Sequence, residues 1–179
     1  IINNAVYHSY RIENDEVVVK FFYQGKVCEE KTKLLAGADG AFSMVRNQAF
    51  PDYPKPKLYI SIQEWFETHK NLDYYGAVFD REITDFYSWT IPKENTLILG
   101  TALEPGTQAS EKFQLLKNKL KNYGFQFEKS IKKNGACLFR PVHSNQICTG
   151  SQKIALLGEA AGFISPSSAE GLSYAFKSA

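Results

Sequence analysis

The sequence predicts an α+β chain: an antiparallel sheet with one helix packed on it, flanked at both ends by strand–turn–helix elements. Three observations predict it. Between residues 50 and 145, short β-branched, aromatic or alternating runs are broken by a single helical pattern. Near 34–48 and again near 153–175, an apolar run enters a Gly-rich turn and emerges as a short helix. The segment Phe50-Pro51-Asp52-Tyr53-Pro54-Lys55-Pro56 is punctuated by proline and reads as a linker. The division that follows is 1–49, 50–145 and 146–179.

Taken in order, 6–12, 17–23 and 26–33 read as a three-stranded meander. Val17-Val18-Val19 and Phe21-Phe22-Tyr23 are strand formers, and Glu13-Asn14-Asp15 and Gln24-Gly25 are turn residues. An apolar strand then runs into Gly37-Ala38-Asp39-Gly40, with a short helix over 41–48. In 58–66, Leu58, Ile60 and Ile62 share one face, and Tyr59, Ser61 and Gln63 the other. Further strands are expected at 74–79, 86–91 and 97–101. The helix between them starts at a Thr107 N-cap, spaces Phe113, Leu116, Leu120 and Tyr123 along one side, and stops at Gly124. Its Lys117, Lys119 and Lys121 read as a solvated face. An irregular β segment covers 131–147. A buried strand at 153–157 leads through Gly158-Glu159-Ala160-Ala161-Gly162 and a Pro166 loop to a helix starting near Ala169-Glu170-Gly171.

Composition narrows the function classes. Hydrophobic residues at 44% and charged residues at 22% exclude a disordered or collagen-like chain. A net charge of +2 gives no electrostatic footprint for nucleic acid, so no nucleic-acid partner is expected. The 13 Phe and 10 Tyr suit large apolar cavities or sheet faces. Cys28, Cys137 and Cys148 are odd in number and contain no C-x-x-C pair, which argues for reduced thiols in a cytoplasmic protein and against zinc or a disulfide scaffold. His8, His69 and His143 have no partner at metal or catalytic spacing and read as structural or exposed. No apolar run approaches the roughly 18–20 residues of a membrane span. The opening Ile1-Ile2-Asn3-Asn4 carries neither Met nor a targeting pattern, so a piece of a longer protein is expected.

Two motifs point to a ligand. Gly158 and Gly162 follow the last strand, where residues without Cβ let a backbone approach a ligand closely. Glu159 is placed to accept hydrogen bonds from sugar hydroxyls, and Gly171 opens a helix whose N–H groups suit an anionic or electron-rich group. Upstream, Asp39 reads by itself as an N-cap, with Arg46 in a surface ion pair.

The string Gly158-Glu159-Ala160-Ala161-Gly162-Phe163-Ile164-Ser165-Pro166-Ser167-Ser168-Ala169-Glu170-Gly171 resembles the G-D/E-A-A-G-x-x-x-P-x-x-x-E/G-G motif of flavin-dependent oxidoreductases of the geranylgeranyl reductase type, within the p-hydroxybenzoate-hydroxylase-like fold. Gly37-Ala38-Asp39-Gly40-Ala41-Phe42-Ser43-Met44-Val45-Arg46 is similar to that family's G-A-D-G-x-x-S-x-V-R. Tyr87-Ser88-Trp89-Thr90-Ile91-Pro92 resembles the reductases' Y-x-W-x-F-P and the flavin halogenases' W-x-W-x-I-P. Period-2 alternation puts Tyr87 and Trp89 on one face, as a substrate wall or as an aromatic core pair. Arg140-Pro141 fits the return into the flavin domain, or an ion-pair partner.

The resemblance implies an α/β parent. On it, 1–49 and 146–179 are parts of a Rossmann-like FAD-binding domain, and 50–145 is the substrate-binding sheet domain. FAD would be contacted by Asp39, Gly40, Arg46, Gly158, Glu159, Gly162, Pro166 and Gly171, and substrate by Tyr87, Trp89 and Pro92. Glu159 stands where Asp is commoner, one methylene longer. No G-x-G-x-x-G fingerprint is present, so this stretch alone is expected to be inactive and without FAD. The implied activity is reduction of isoprenoid C=C bonds by hydride from reduced FAD, with NAD(P)H or another reductant as electron source and no side chain here as acid or base. The alternatives are a flavin monooxygenase or halogenase, and a non-catalytic fragment that binds an apolar ligand or partner without FAD. The partners implied are an apolar small molecule and a membrane surface touched for lipid access. Self-association is also implied, through an aromatic wall left open to water.

Overall fold

The first three runs form the meander their turns dictate. Strands β1 (Val6–Glu13), β2 (Glu16–Tyr23) and β3 (Lys26–Thr32) pair antiparallel in sequence order. Asn14, Asp15, Gln24 and Gly25 all have φ between 48° and 74°, the left-handed backbone of tight hairpin turns. The computed structural model describes residues 1–69, 71–106 and 108–179. The chain divides into two units, Ile1–Lys57 with Phe139–Ala179, and Leu58–Leu138. These divisions lie inside the 49/50 and 145/146 boundaries expected from sequence. The proline-rich segment stays with the first unit because its carbonyls are held there: Arg46 donates to Pro54 O at 2.9 Å and the Gln146 amide to Lys55 O at 3.0 Å.

In the first unit, β4 (Leu35–Gly37) lies parallel to β11 (Ile154–Leu156), which also pairs antiparallel with β10 (Gly150–Ser151). Helix α1 (Met44–Ala49) begins three residues later than the expected 41–48. Ser43 stops the helix from extending back, since its hydroxyl accepts the Arg46 N–H at 2.9 Å. Val17, Val45, Cys148, Ile154, Leu156 and Ala161 form the core of this unit. Gly158-Glu159-Ala160-Ala161 forms one helical turn, α3 (Gly158–Ala161), where a plain turn was expected. The last helix, α4 (Leu172–Ser178), starts after Gly171 because the Glu170 carboxylate caps it, accepting from Ser173 N at 2.8 Å and Ser173 Oγ at 2.6 Å.

In the second unit, the order of hydrogen-bonded strands is β6-β7-β8-β5-β9. The strands are β5 (Lys57–Glu67), β6 (Gly76–Val78), β7 (Ser88–Lys93), β8 (Thr96–Leu103) and β9 (Ser130–Arg140), and the β6–β7, β7–β8 and β8–β5 pairs are antiparallel. Helix α2 (Ala109–Asn122) buries Phe113, Leu116 and Leu120 against Phe66, Ile83, Leu99 and Leu103. Each such side chain contributes about 1.5–3 kcal/mol. The burial of β5 changes face along its length: Tyr59 and Ser61 are buried in its first half, Glu64 and Phe66 in its second.

Several expectations are corrected here. Tyr123 is exposed, because the helix ends at Asn122 and Tyr123 is already its C-cap. Gly124 follows with φ 89°, as a C′ glycine does. The Thr107 N-cap lies outside the described residues. Lys117 and Lys119 are not a free solvated face. Lys117 pairs with the buried Glu64 at 3.2 Å, and Lys119 with Asp80 at 2.6 Å and with Glu82. Lys119 holds the Asp80 carboxyl below its usual range. Among the described residues, no helix is long and apolar enough to cross a membrane, and no cluster of His, Cys, Asp or Glu could hold a metal.

Candidate functional site

The parallel pairing of β4 with β11 sets Leu156 opposite Gly37, so the Gly37–Gly40 turn and the Gly158–Gly162 turn leave the same end of one sheet. Leu157 N donates to Gly37 O at 2.9 Å, and Arg46 Nη1 donates to Ala160 O at 3.2 Å. Two motifs more than 100 residues apart in sequence are therefore adjacent in the folded unit.

The side chains divide into two groups. Asp39 is occupied by α1: its Oδ2 accepts from Met44 N at 2.7 Å and Val45 N at 3.3 Å. Arg46 is 2% exposed and, among the described residues, makes no ion pair; its guanidinium donates to the carbonyls of Ala160, Pro54 and Gln146. Burial pushes that guanidinium below its ordinary pKa. Gly158 N–H donates to Ser178 Oγ at 2.8 Å, and the start of α4 is closed by Glu170. These residues build the scaffold. Asp39→Ala is expected to lower stability by about 1 kcal/mol through loss of the cap, read as a shift of the denaturant midpoint.

The second group borders a cleft of about 390 Å³ that includes Pro141, His143, Gly162, Pro166 and Tyr174. Gly162 has φ 90°, and a Cβ there would sit 3.0 Å from Gln146 O, so glycine is required by the turn itself. Arg140 Nε donates to Pro166 O at 3.0 Å and fixes the loop that forms one wall. Gly40 and Gly171 leave open space in front of them: a Cβ at Gly40 meets nothing within 4 Å, and one at Gly171 meets only Ile164.

Glu159 is half-buried and its Oε1 accepts from Phe139 N at 2.6 Å. Burial raises its pKa, only partly opposed by that N–H. The folded state thus holds this proton more tightly than the unfolded state. Stability from this group is present below the unfolded carboxyl pKa and is lost as pH rises through the folded one. Glu159→Gln keeps an acceptor for Phe139 and removes the ionisation. It is expected to raise the melting temperature at pH 7 and leave it unchanged in mild acid, below the ordinary carboxyl pKa, which thermal unfolding at the two pH values checks.

In the second unit, Tyr87 and Trp89 lie side by side with ring centroids 5.5 Å apart. They are 8% and 7% exposed, so the wall expected to stand open to water is covered. Phe79 and Phe86 contact Tyr87, and the Trp89 indole lies on Gly100 of β8. Burial and the Tyr75 side chain push the Tyr87 phenol well up. Pro92 lies in β7 beyond its β6 pairing, which ends at Gly76–Thr90, so its missing N–H breaks no bond to that neighbour. Gln146 was not singled out in sequence. Its Oε1 accepts from Val142 N and His143 N while its carbonyl holds Arg46, and a lone glutamine in an irregular segment gives no signal of this.

No protein-family model matches the chain. It is 41% identical over 167 residues to Protein CbrA of Escherichia coli O9:H4 (strain HS), covering 93% of this chain and 45% of that protein. Protein CbrA of Shigella sonnei (strain Ss046) is 40% identical, with 47% of its length covered. The chain thus spans about half the length of these curated relatives. Among solved structures, a geranylgeranyl bacteriochlorophyll reductase-like protein from Thermoplasma acidophilum superposes with TM-score 0.80 at 17% identity, over 97% of this chain and 45% of that one. CmlS, a flavin-dependent halogenase, gives 0.71 at 12% identity over 97% and 34%. A flavoprotein/dehydrogenase from Cytophaga hutchinsonii gives 0.68 at 13% over 97% and 45%. At such identities the likeness is one of fold: the chain has the α+β architecture of part of these flavoprotein structures, antiparallel sheet included.

Proposed function

We propose that the chain is part of a flavin-dependent oxidoreductase that reduces C=C bonds of an isoprenoid substrate. The observation that carries the reading is the β4–β11 pairing, which brings the two flavoprotein-like motifs to the same end of one sheet, the later of them bordering the cleft at Gly162 and Pro166. The fit to FAD is partial and specific. Gly40, Glu159 through its second carboxylate oxygen, Gly162, Pro166 and Gly171 are the residues that would touch the cofactor. Asp39, Arg46 and Gly158 hold the turns that present them. Reduced FAD, when bound, would supply hydride to one alkene carbon, the other carbon taking a proton that originates in solvent. Tyr87 and Trp89, covered in this fold by Phe79 and Phe86, would back an apolar wall that the partly exposed Pro92 borders and that excludes water from an isoprenoid chain. The likeness to the geranylgeranyl reductase-like structure supports a reductase, and that to CmlS and to the OxyS anhydrotetracycline hydroxylase keeps halogenation and monooxygenation as second readings.

The test uses a protein of the relatives' length containing this sequence, loaded with FAD and incubated with geranylgeraniol and dithionite without oxygen. A product gaining two hydrogens per double bond supports reduction. An unchanged alkene, with oxygen uptake and hydroxylated product in air, favours the monooxygenase reading.

A further inference from the structure

We propose that the cavity between β6 and α2 is a binding site for an uncharged planar aromatic molecule carrying a hydroxyl. The inference is independent of the flavin reading. The cavity is about 790 Å³, within the range of small-molecule sites. Its walls include Tyr74, Phe79 and Tyr123, which are 60%, 79% and 82% exposed, with Leu120 beneath. Three large aromatic rings left this open beside one concavity offer stacking surface that the fold itself does not cover.

Thr90 gives a second, separate indication. It is fully buried, it lines this cavity, and its hydroxyl has no hydrogen-bond partner among the described residues. Such a group destabilises a folded chain unless something else meets it. Gly76 is its register partner on β6, and a Cβ there would sit 2.4 Å from Thr90 Oγ1. The lack of a side chain at Gly76 is what leaves room for the hydroxyl, on a three-residue edge strand. The charges argue against an anionic ligand. Lys119, the one cation among the described residues that line the cavity, is bound to Asp80 at 2.6 Å and to Glu82 and is already neutralised.

The probes are 2-naphthol, naphthalene and naphthalene-2-sulfonate, titrated into the isotopically labelled chain while amide resonances are followed. Saturable shifts with 2-naphthol at β6, Thr90 and the last turn of α2 are expected, and the sulfonate should not produce them. Thr90→Val removes the unpartnered hydroxyl without a loss of packing, so the variant folds. It should weaken 2-naphthol about fivefold and leave naphthalene unchanged. Tyr123→Ala, at an exposed position, should weaken both. Absence of saturable shifts at these amides, equal binding of the sulfonate, or unaltered 2-naphthol affinity in Thr90→Val would each overturn the proposal.

Discussion

Arg46→Met is expected to lower stability by about 3–4 kcal/mol. Methionine fills much of the volume but cannot donate to the Ala160, Pro54 and Gln146 carbonyls, which then lose a charged partner inside the fold. These three carbonyls come from α3, the proline-rich segment and the 144–146 turn, so one side chain ties together three segments distant in sequence. Arg46→Lys should recover only part of the loss, because an ammonium lacks the planar fork that reaches three acceptors in different directions. Urea unfolding of the three proteins reads this directly. A midpoint for Arg46→Met within error of the parent would show that the carbonyls find other donors.

The second large effect is expected at Gly100. A Cβ there would lie 2.3 Å from Trp89 Cε2 and Nε1, well inside contact distance, and the register pairs the two residues directly. Gly100→Ala is expected to cost about 3 kcal/mol, as overpacking of a buried aromatic does. The indole would also be displaced, so the tryptophan emission should move to longer wavelength in step with the loss. Destabilisation without any change in emission would mean that β8 shifts instead of Trp89.

The strands and the helix of the second unit were legible in sequence because they obey simple periods. Phe113, Leu116 and Leu120 fall on one helical face, and residues 58–63 alternate. What periodicity could not reveal is the change of buried face along β5, which depends on where α2 lies across the sheet. Nor could it separate the roles within the motifs. Asp39 and Glu159 look equivalent as acids at strand ends, yet Asp39 caps α1 while Glu159 keeps an oxygen outside its bond to Phe139. Arg46 looked like a surface residue because arginine usually is one. Its burial follows from carbonyls at 54, 146 and 160, which no local pattern announces.

The stability and the proposed chemistry of Glu159 pull in opposite directions. Burial makes ionising Glu159 costly in the empty fold, and a sugar-like chain of hydroxyls would stabilise that same charge by donating to it. Glu159→Gln should therefore melt higher than the parent without cofactor and hold FAD less tightly. The most direct test is the FAD content of a protein of the relatives' length containing this sequence, purified beside its Glu159→Gln variant and each reconstituted with FAD. The expected result is a yellow parent that releases stoichiometric FAD on denaturation, and a variant that loses FAD on dialysis. A colourless parent that takes up no FAD on reconstitution would contradict it.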